Sequence, residues 1–406
     1  MIVKTLLIIG AGADQTIGIK KAKRMGLRVV ATDGNPDAAG LKLADDFELA
    51  SVYDENKTLK AAQKLNKRHK IDAVMAMGTD TPVVVSKIAK KFSLPGLSLD
   101  TAFLATNKYE MKKRFKEYDI PIPWFLKLNS YKDLVKAVRE KGFPLVIKPI
   151  DSRGARGVIM LTDGVDLKWA FSEALSYSPS GQVMVEEYLE GAQFSTESII
   201  WDDFAITPGI TRRNYPFMKK YKPYIIEDGD DLPPEINKVE EASLKLLAEK
   251  GARALGINRW SAKGDLVLTK DGPKIIEMAA RISGGQFATL KLEYNSGVDF
   301  LKATILMALG EKPNFEKLIP RLNRPVVQRY FFRSPGTIKK IAGVEKMAKN
   351  KWVLYYTFYV KEGDHIEKMV SMGTRSGNVI TCGSTIKEAR ERARKAIGMV
   401  HFEFDE

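Results

Sequence analysis

The alternation of apolar strands with amphipathic helices over residues 1–105 constrains this fold more than any other feature. An apolar run, Ile2–Ile9, ends in Gly10-Ala11-Gly12. A helix is expected over Thr16–Met25, stopped by Gly26, followed by a second strand over Leu27–Thr32 that Asp33-Gly34-Asn35-Pro36 closes. Ile71–Met77 reads as another buried strand and Pro82–Phe92 as the helix after it. Near-continuous apolar strands with short connections suit an open parallel sheet covered by helices. The N-terminal apolar run is too short for a signal peptide's core plus cleavage site, and no stretch approaches the ~20 apolar residues that span a bilayer. The expectation is a soluble, cytoplasmic protein with no membrane partner.

The turn at Gly10-Ala11-Gly12, with Asp33 at the end of the second strand, suggests a dinucleotide fingerprint. The spacing fails, because Gln15 stands where the third glycine belongs and Gly18 arrives three residues late. The glycines are then read as the tight strand-to-helix turn of any doubly wound sheet.

A second unit begins near Thr106. Asn107–Tyr118 reads as a basic helix, Trp124–Leu128 as a strand, and Ser130–Lys141 as a helix with a serine N-cap. Leu145–Ile147 is a strand, Asp151–Gly157 a glycine-rich loop, and Val158–Leu161, Val165–Ser176 and Val183–Tyr188 complete a small α+β lobe. Phe194–Arg212 is strand-like, and Glu235–Leu255 is a long amphipathic helix. Trp260–Thr269 and Lys274–Met278 form a hairpin around Asp271-Gly272, and Val298–Leu309 is a helix. Beyond it, strands around Val326–Phe332, Val353–Val360 and Asn378–Thr381 precede a terminal helix over Thr385–Ile397.

The net charge of +15 admits a polyanion partner. Lysines and arginines are nevertheless interleaved with acids, and aromatics do not interleave the basic runs. A solvated exterior is the better reading, and no nucleic acid partner is expected. The single cysteine, Cys382, excludes a disulfide within the chain and a cysteine-based zinc cluster, and is read as a small buried residue. The histidines at 69, 365 and 401 are far apart and read as structural or surface residues.

Chemistry concentrates in a set spread over the second unit. It contains Lys108, Lys148 in Val146-Ile147-Lys148-Pro149, the loop from Asp151 to Gly157, Glu186-Glu187, Asp265, and the segment Glu277 to Gly285. A lysine on a buried strand, as Lys148 is, is costly unless an anion meets it. A glycine-rich loop lets backbone N–H groups close on phosphate oxygens, and Arg153 and Arg156 add charge. Paired acids after an apolar strand, as at Glu186-Glu187, accept bonds from an adenine amino group or ribose hydroxyls. Asp265 and Glu277, on neighbouring strands of the hairpin, are placed to share a face and hold Mg²⁺.

The order lysine, lysine, glycine-rich loop, double glutamate, acid, Glu-x-x-x-Arg resembles the ATP-grasp superfamily, over essentially the whole chain. The resemblance implies an open parallel-sheet N-terminal α/β domain over 1–105. It implies a two-lobed ATP-binding clamp over 106–310 with a mobile lid near 120–188, and a small α+β C-terminal domain over 311–406. It implies ATP with Mg²⁺ (or Mn²⁺) as cofactors. Lys108 and Lys148 would contact the phosphates, with Lys148 also catalytic. Arg153, Gly154, Arg156 and Gly157 would belong to the covering loop. Glu186 would be the adenine-side acid, with the backbone at Glu187 and Leu189 reading the base edge. Asp265 and Glu277 would be the metal carboxylates, and Arg281 the catalytic arginine that steadies the transferred phosphoryl group. The ribose acid of the family falls at Gln193, and Ala279 replaces the asparagine often found between Glu277 and Arg281.

Thr211–Pro234 and Glu277–Gly285 look like the carboxylate–amine ligases typified by bacterial L-amino acid ligase. In that group Arg281, Ser283, Gly284 and Gly285 would border the carboxylate site. Arg212 or Arg213 would hold a second carboxylate, or both would merely cap a strand end; the sequence leaves the two readings open. Such enzymes activate a small-molecule carboxylate as an acyl phosphate and join it to an amine. Arg375–Thr385 also resembles purine-synthesis ligases acting on ribonucleotides with bicarbonate or formate, which would need a further phosphate site near Gly10–Gly18. A non-catalytic nucleotide- or nucleic-acid-binding module is the reading from another class. A homodimer is the common expectation for an enzyme of this size.

Overall fold

The computed structural model describes residues 3–405. The expected first strand begins at Ile2, which with Met1 and Glu406 lies outside the described residues. A four-stranded parallel sheet opens the chain. Thr5–Ile9 lies inside it between Arg28–Asp33 and Ala73–Ala76, and Asp46–Leu49 forms one edge. Every residue of Thr5–Ile9 is buried, as its unbroken apolar run requires. The helix Thr16–Arg24 packs so closely on this sheet that a Cβ at Gly18 would fall 2.0 Å from the Met77 Sδ. Gly18 therefore serves helix–strand contact.

Phe125–Leu128, Val183–Glu187, Leu145–Pro149 and Ile159–Leu161 form, in that order, an antiparallel sheet. Two helices cover it. Tyr131–Lys141 starts at a capping box between Ser130 and Asp133, and Leu167–Ser176 is capped by Asp166. This lobe packs around its own apolar cluster, including Leu134, Ile147, Ile159, Ala170 and Val185.

The remaining framework is an eight-stranded antiparallel sheet. Its order is Gly272–Ala279, Trp260–Thr269, Ala192–Trp201, Phe204–Arg213, Asp230–Leu232, Val326–Tyr330, Gly377–Cys382 and Val353–Phe358. The helix Lys238–Ala254, entered through an Asn237–Glu240 capping box, lies across one face, and one core cluster runs from here into the N-terminal sheet. The long strand-like stretch from Phe194 is in fact a hairpin of two strands. Strands from beyond residue 325 extend the same sheet and so bring C-terminal residues to the same surface. A three-stranded sheet of His365–Ile366, Gly336–Ala342 and His401–Phe404 completes the chain, its last strand following the helix Ile386–Met399. Among the described residues no helix is long and apolar enough to cross a membrane.

Candidate active site

A cleft of about 520 Å³ opens between the small lobe and the large sheet. The carboxyl end of the N-terminal parallel sheet closes one side through Asp14, Gly78 and Asp80, and Tyr330, Tyr359 and Arg375 close another. Ligands of open α/β sheets gather at such strand ends.

Lys148 projects from a strand whose five residues are all buried. Its Nζ donates to Glu186 Oε1 at 2.5 Å, Glu186 lying diagonally across the sheet from it. The second carboxylate oxygen faces Lys112 Nζ at 3.0 Å. Lys112, on the helix Lys108–Glu117, is fully buried, and its Nζ also donates to the Ile276 carbonyl at 3.0 Å. The anion that a buried Lys148 requires is thus internal, and Glu186 is gripped by two lysines. Burial opposes the charge on Glu186, but Lys112 and Lys148 outweigh it and hold the carboxyl below its usual range. Burial pushes Lys112 down to about 8, with Glu186 offsetting part of the effect.

Asp265 and Glu277 are direct cross-strand partners in the hairpin, so their side chains share a face. A register shift follows Asp265, a device that re-aims side chains beside sites. Asp265 accepts from Ser195 Oγ at 2.6 Å, pairs with Lys263, and lies 3.4 Å from Arg213 Nη1. Glu277 Oε2 lies 3.3 Å from Lys108 Nζ. Burial would raise Glu277, yet Lys108, Lys263 and Lys148 together hold it well below the ordinary range. No cluster of three potential metal ligands exists among the described residues. Two carboxylates nonetheless suit Mg²⁺, which keeps waters and phosphate oxygens in its shell. Ala279 is buried and offers no ligand atom.

The glycine-rich loop is tied at three points. Lys108 Nζ donates to the Ser152 carbonyl at 2.8 Å, Arg153 stacks 4.9 Å from the Tyr53 ring centroid, and Met372 N–H donates to the Gly154 carbonyl at 3.3 Å. Arg153, Gly154 and Arg156 border the cleft; Gly157 does not. Gly157 has φ +70°, and a Cβ there would meet Pro149 Cγ at 2.9 Å, so this glycine shapes the loop's exit.

Glu187, Leu189, Gln193, Arg281, Ser283, Gly284 and Gly285 all border the same cleft. Arg281 donates to Asp80 at 3.3 Å and to its neighbour's carbonyl, that of Ile282, at 3.1 Å. Ser283 donates through its N–H at 2.8 Å and through its hydroxyl to Glu197. Glu197 is fully buried, and burial pushes it up to about 7 against those bonds. Arg213 borders the cleft but Arg212 does not, since alternate strand residues face opposite sides. Arg213 is already paired, at 2.6 Å from Glu227 as well as with Asp265.

At the glycine turn, Ala11 N–H donates to Asp33 Oδ2 at 2.7 Å and Gly10 N–H to the Thr32 carbonyl at 2.8 Å. Asp33 serves the turn, in line with the failed fingerprint spacing. The histidines at 69, 365 and 401 lie away from the cleft.

Sequence reasoning passed over Lys112, Lys263 and Asp14, and met Arg375 only as the first residue of the segment Arg375–Thr385, with no role of its own. Lys263 carried a usable signal, since it precedes Asp265 by two on one strand and so shares its face. Lys112 had none that set it apart from Lys113 and Lys116 on the same helix.

Comparison with known proteins agrees with this geometry. A family model described as ATP-grasp domain matches residues 105–285, and one described as L-amino acid ligase C-terminal domain 2 matches 329–405. The L-amino acid ligase of Bacillus licheniformis superposes with a TM-score of 0.85 at 20% identity, covering 99% of each chain. Phosphoribosylglycinamide synthetase of Anaerococcus prevotii gives 0.76 at 22% identity, covering 100% of each chain. A phosphoribosylamine–glycine ligase of Caldanaerobacter subterraneus subsp. tengcongensis is 26% identical over 98% of this chain and 97% of its own. Fold, matched segments and relatives point the same way: the chain carries an ATP-grasp domain over residues 105–285 and is similar along its length to ATP-grasp ligases.

Proposed function

We propose that the protein is an ATP-dependent carboxylate–amine ligase that releases ADP and phosphate. The observation that carries this is the pairing of Asp265 and Glu277 on one face, beside Lys108 and Lys263, in a cleft that also holds Lys148 and Arg281. Asp265 and Glu277 are the residues that would hold Mg²⁺, which would neutralise charge developing in phosphoryl transfer. Lys108, Lys148 and the Arg153–Arg156 loop bind and orient the nucleotide's phosphates. Arg281 steadies the γ-phosphoryl group as it passes to a carboxylate. The lobe of residues 120–188 acts as the lid, keeping water from the acyl phosphate until an amine attacks it. Glu187, Leu189 and Gln193 line the nucleoside end.

A ribonucleotide acceptor is the weaker reading. Asp14 stands in the cleft just before the helix Thr16–Arg24, where a second phosphate would dock, and a carboxylate there repels an anion. A non-catalytic binder would have no need of both Asp265 and Glu277. The test is ATP turnover with matrices of carboxylates and amines. ADP and phosphate should form only when both are present, and AMP as the product would sink the mechanism. Glu277→Ala and Lys148→Ala should abolish turnover in folded protein; near-normal rates in either would remove that residue from the mechanism.

A further inference from the structure

Arg375 differs from every other arginine of the cleft in its bonding. Its guanidinium lies over the Tyr330 ring, 3.5 Å from the centroid, and its Nε donates to the Met372 carbonyl at 2.9 Å. Its Nη1 is buried and has no hydrogen-bond partner. A buried charged donor left unmatched carries a desolvation cost that nothing repays. Arg213 is paired with Glu227 and Asp265, Arg281 is held by Asp80, and Arg153 and Arg156 belong to the covering loop. Among the described residues Arg375 is therefore the cleft arginine with a buried, unmatched donor. Stacking on Tyr330 fixes its plane, which suits a planar, two-oxygen acceptor.

Its position sets it beside the covering loop rather than on the carboxylate pair: its Nε donates to the Met372 carbonyl, and the Met372 N–H donates to the Gly154 carbonyl. We propose that Arg375 receives an oxyanion carried by the amine-bearing substrate and so selects which amines the enzyme joins; this rests on the ligase reading given above.

The surroundings favour a single negative charge, as on a carboxylate, over a phosphate dianion. Glu227 and Asp14 are among the anions that act on Arg375. Asp14 is held in place by a buried chain. Lys291 donates to Gln328 at 2.6 Å, Gln328 to Gln286 at 3.3 Å, and Gln286 to Asp14 Oδ1 at 2.5 Å. Gln286 has φ +56°, a left-handed conformation that a glutamine adopts only under constraint. This chain fixes a carboxylate in the same cleft as Arg375, so the two together suit a zwitterion: an ammonium at Asp14 and a carboxylate at Arg375.

The test is calorimetric titration of the Mg²⁺–ADP-loaded enzyme with each of the common L-amino acids against its α-carboxamide. O-phosphoethanolamine against ethanolamine serves as the phosphate arm. At least one acid should bind about tenfold or more tighter than its amide, and Arg375→Ala should bring that ratio near one. Arg375→Lys, which keeps the charge but loses the planar fork, should fall between. ADP affinity near that of the parent enzyme checks that each variant folds. Preference for O-phosphoethanolamine, lost in Arg375→Ala, upholds the oxyanion receptor with phosphate as the source. Equal binding of acids and amides by the parent enzyme, or a ratio that survives Arg375→Ala, overturns it. Phosphate release separates the two readings. Arg375-dependent binding without phosphate release upholds this inference and defeats the ligase. Phosphate release that is equally fast with amides and acids does the reverse.

Discussion

The two ends of the cleft treat positive charge differently. At the Lys148 end each lysine has a carboxylate at hand: Lys148 and Lys112 share Glu186, Lys108 faces Glu277 and Lys263 meets Asp265. At the Arg375 end a guanidinium N–H is buried and unmatched. The first end is an internally paired cluster, four lysines on three carboxylates, that must exchange partners when a ligand arrives. If phosphates drew the lysines away without a cation, the buried Asp265 and the partly exposed Glu277 would both lose their lysine partners, an unfavourable exchange. Nucleotide and divalent cation should therefore bind as a set. The second end can accept an anion without breaking anything.

The sharpest way to break this contrast is Glu277→Ala. It leaves Lys108 without its partner and removes half of the carboxylate pair, so turnover should fall by about 10³-fold or more. Removing Mg²⁺ with a chelator comes next: ADP affinity measured by calorimetry should drop at least about tenfold, and unchanged affinity would show that the lysine–carboxylate cluster does not require exchange. The loss of acid-over-amide selection in Arg375→Ala is of similar or smaller size and should leave the Mg²⁺ dependence of ADP binding intact.

The smallest effect concerns Glu197, which neighbours the cleft through Ser283 but carries no ligand in this scheme. Its folded-state pKa is raised to about 7 from 4.5, so between those values the folded protein keeps a proton that the unfolded chain releases. Stability contributed by this group is full below pH 4.5 and is lost as pH rises toward 7. Glu197→Gln should flatten part of the fall in melting temperature across that window. Asp228, likewise raised to about 7 by burial, and Asp230, raised by burial, contribute in the same direction. A variant whose slope matches the parent's would show that Glu197 ionises normally.

How far the sequence anticipates this depends on whether a residue's partner is local. Asp265 and Glu277 flank the Asp271-Gly272 turn, so strand alternation alone aligns them. The glycine turn at Gly10 could be read because its spacing broke a known pattern. The serine cap of Tyr131–Lys141 lies in four consecutive residues. Lys112 is different: only the packing of its helix against Gly272–Ala279 makes it internal, and that contact is long-range. Arg375 reaches the cleft because Gly377–Cys382 pairs with Val326–Tyr330, a register that no local pattern announces. Arg212 and Arg213 look alike in sequence, and only the direction of their strand separates them.

The glycine-rich loop carries a kinetic consequence. Its three ties run to three different parts of the chain: Lys108 in the core helix, Tyr53 in the N-terminal unit, and Met372 beyond the large sheet. Each is weak alone, a hydrogen bond being worth about 0.5–1.5 kcal/mol net and an exposed cation–π contact about 0.5–1 kcal/mol. Held together, they make opening a concerted event, so that fraying of one tie leaves the loop in place. Met372 also receives the Arg375 Nε through its carbonyl. The backbone that latches the loop is thus the backbone that aims the anion receptor, and the residence time of one substrate becomes legible in the opening rate above the other.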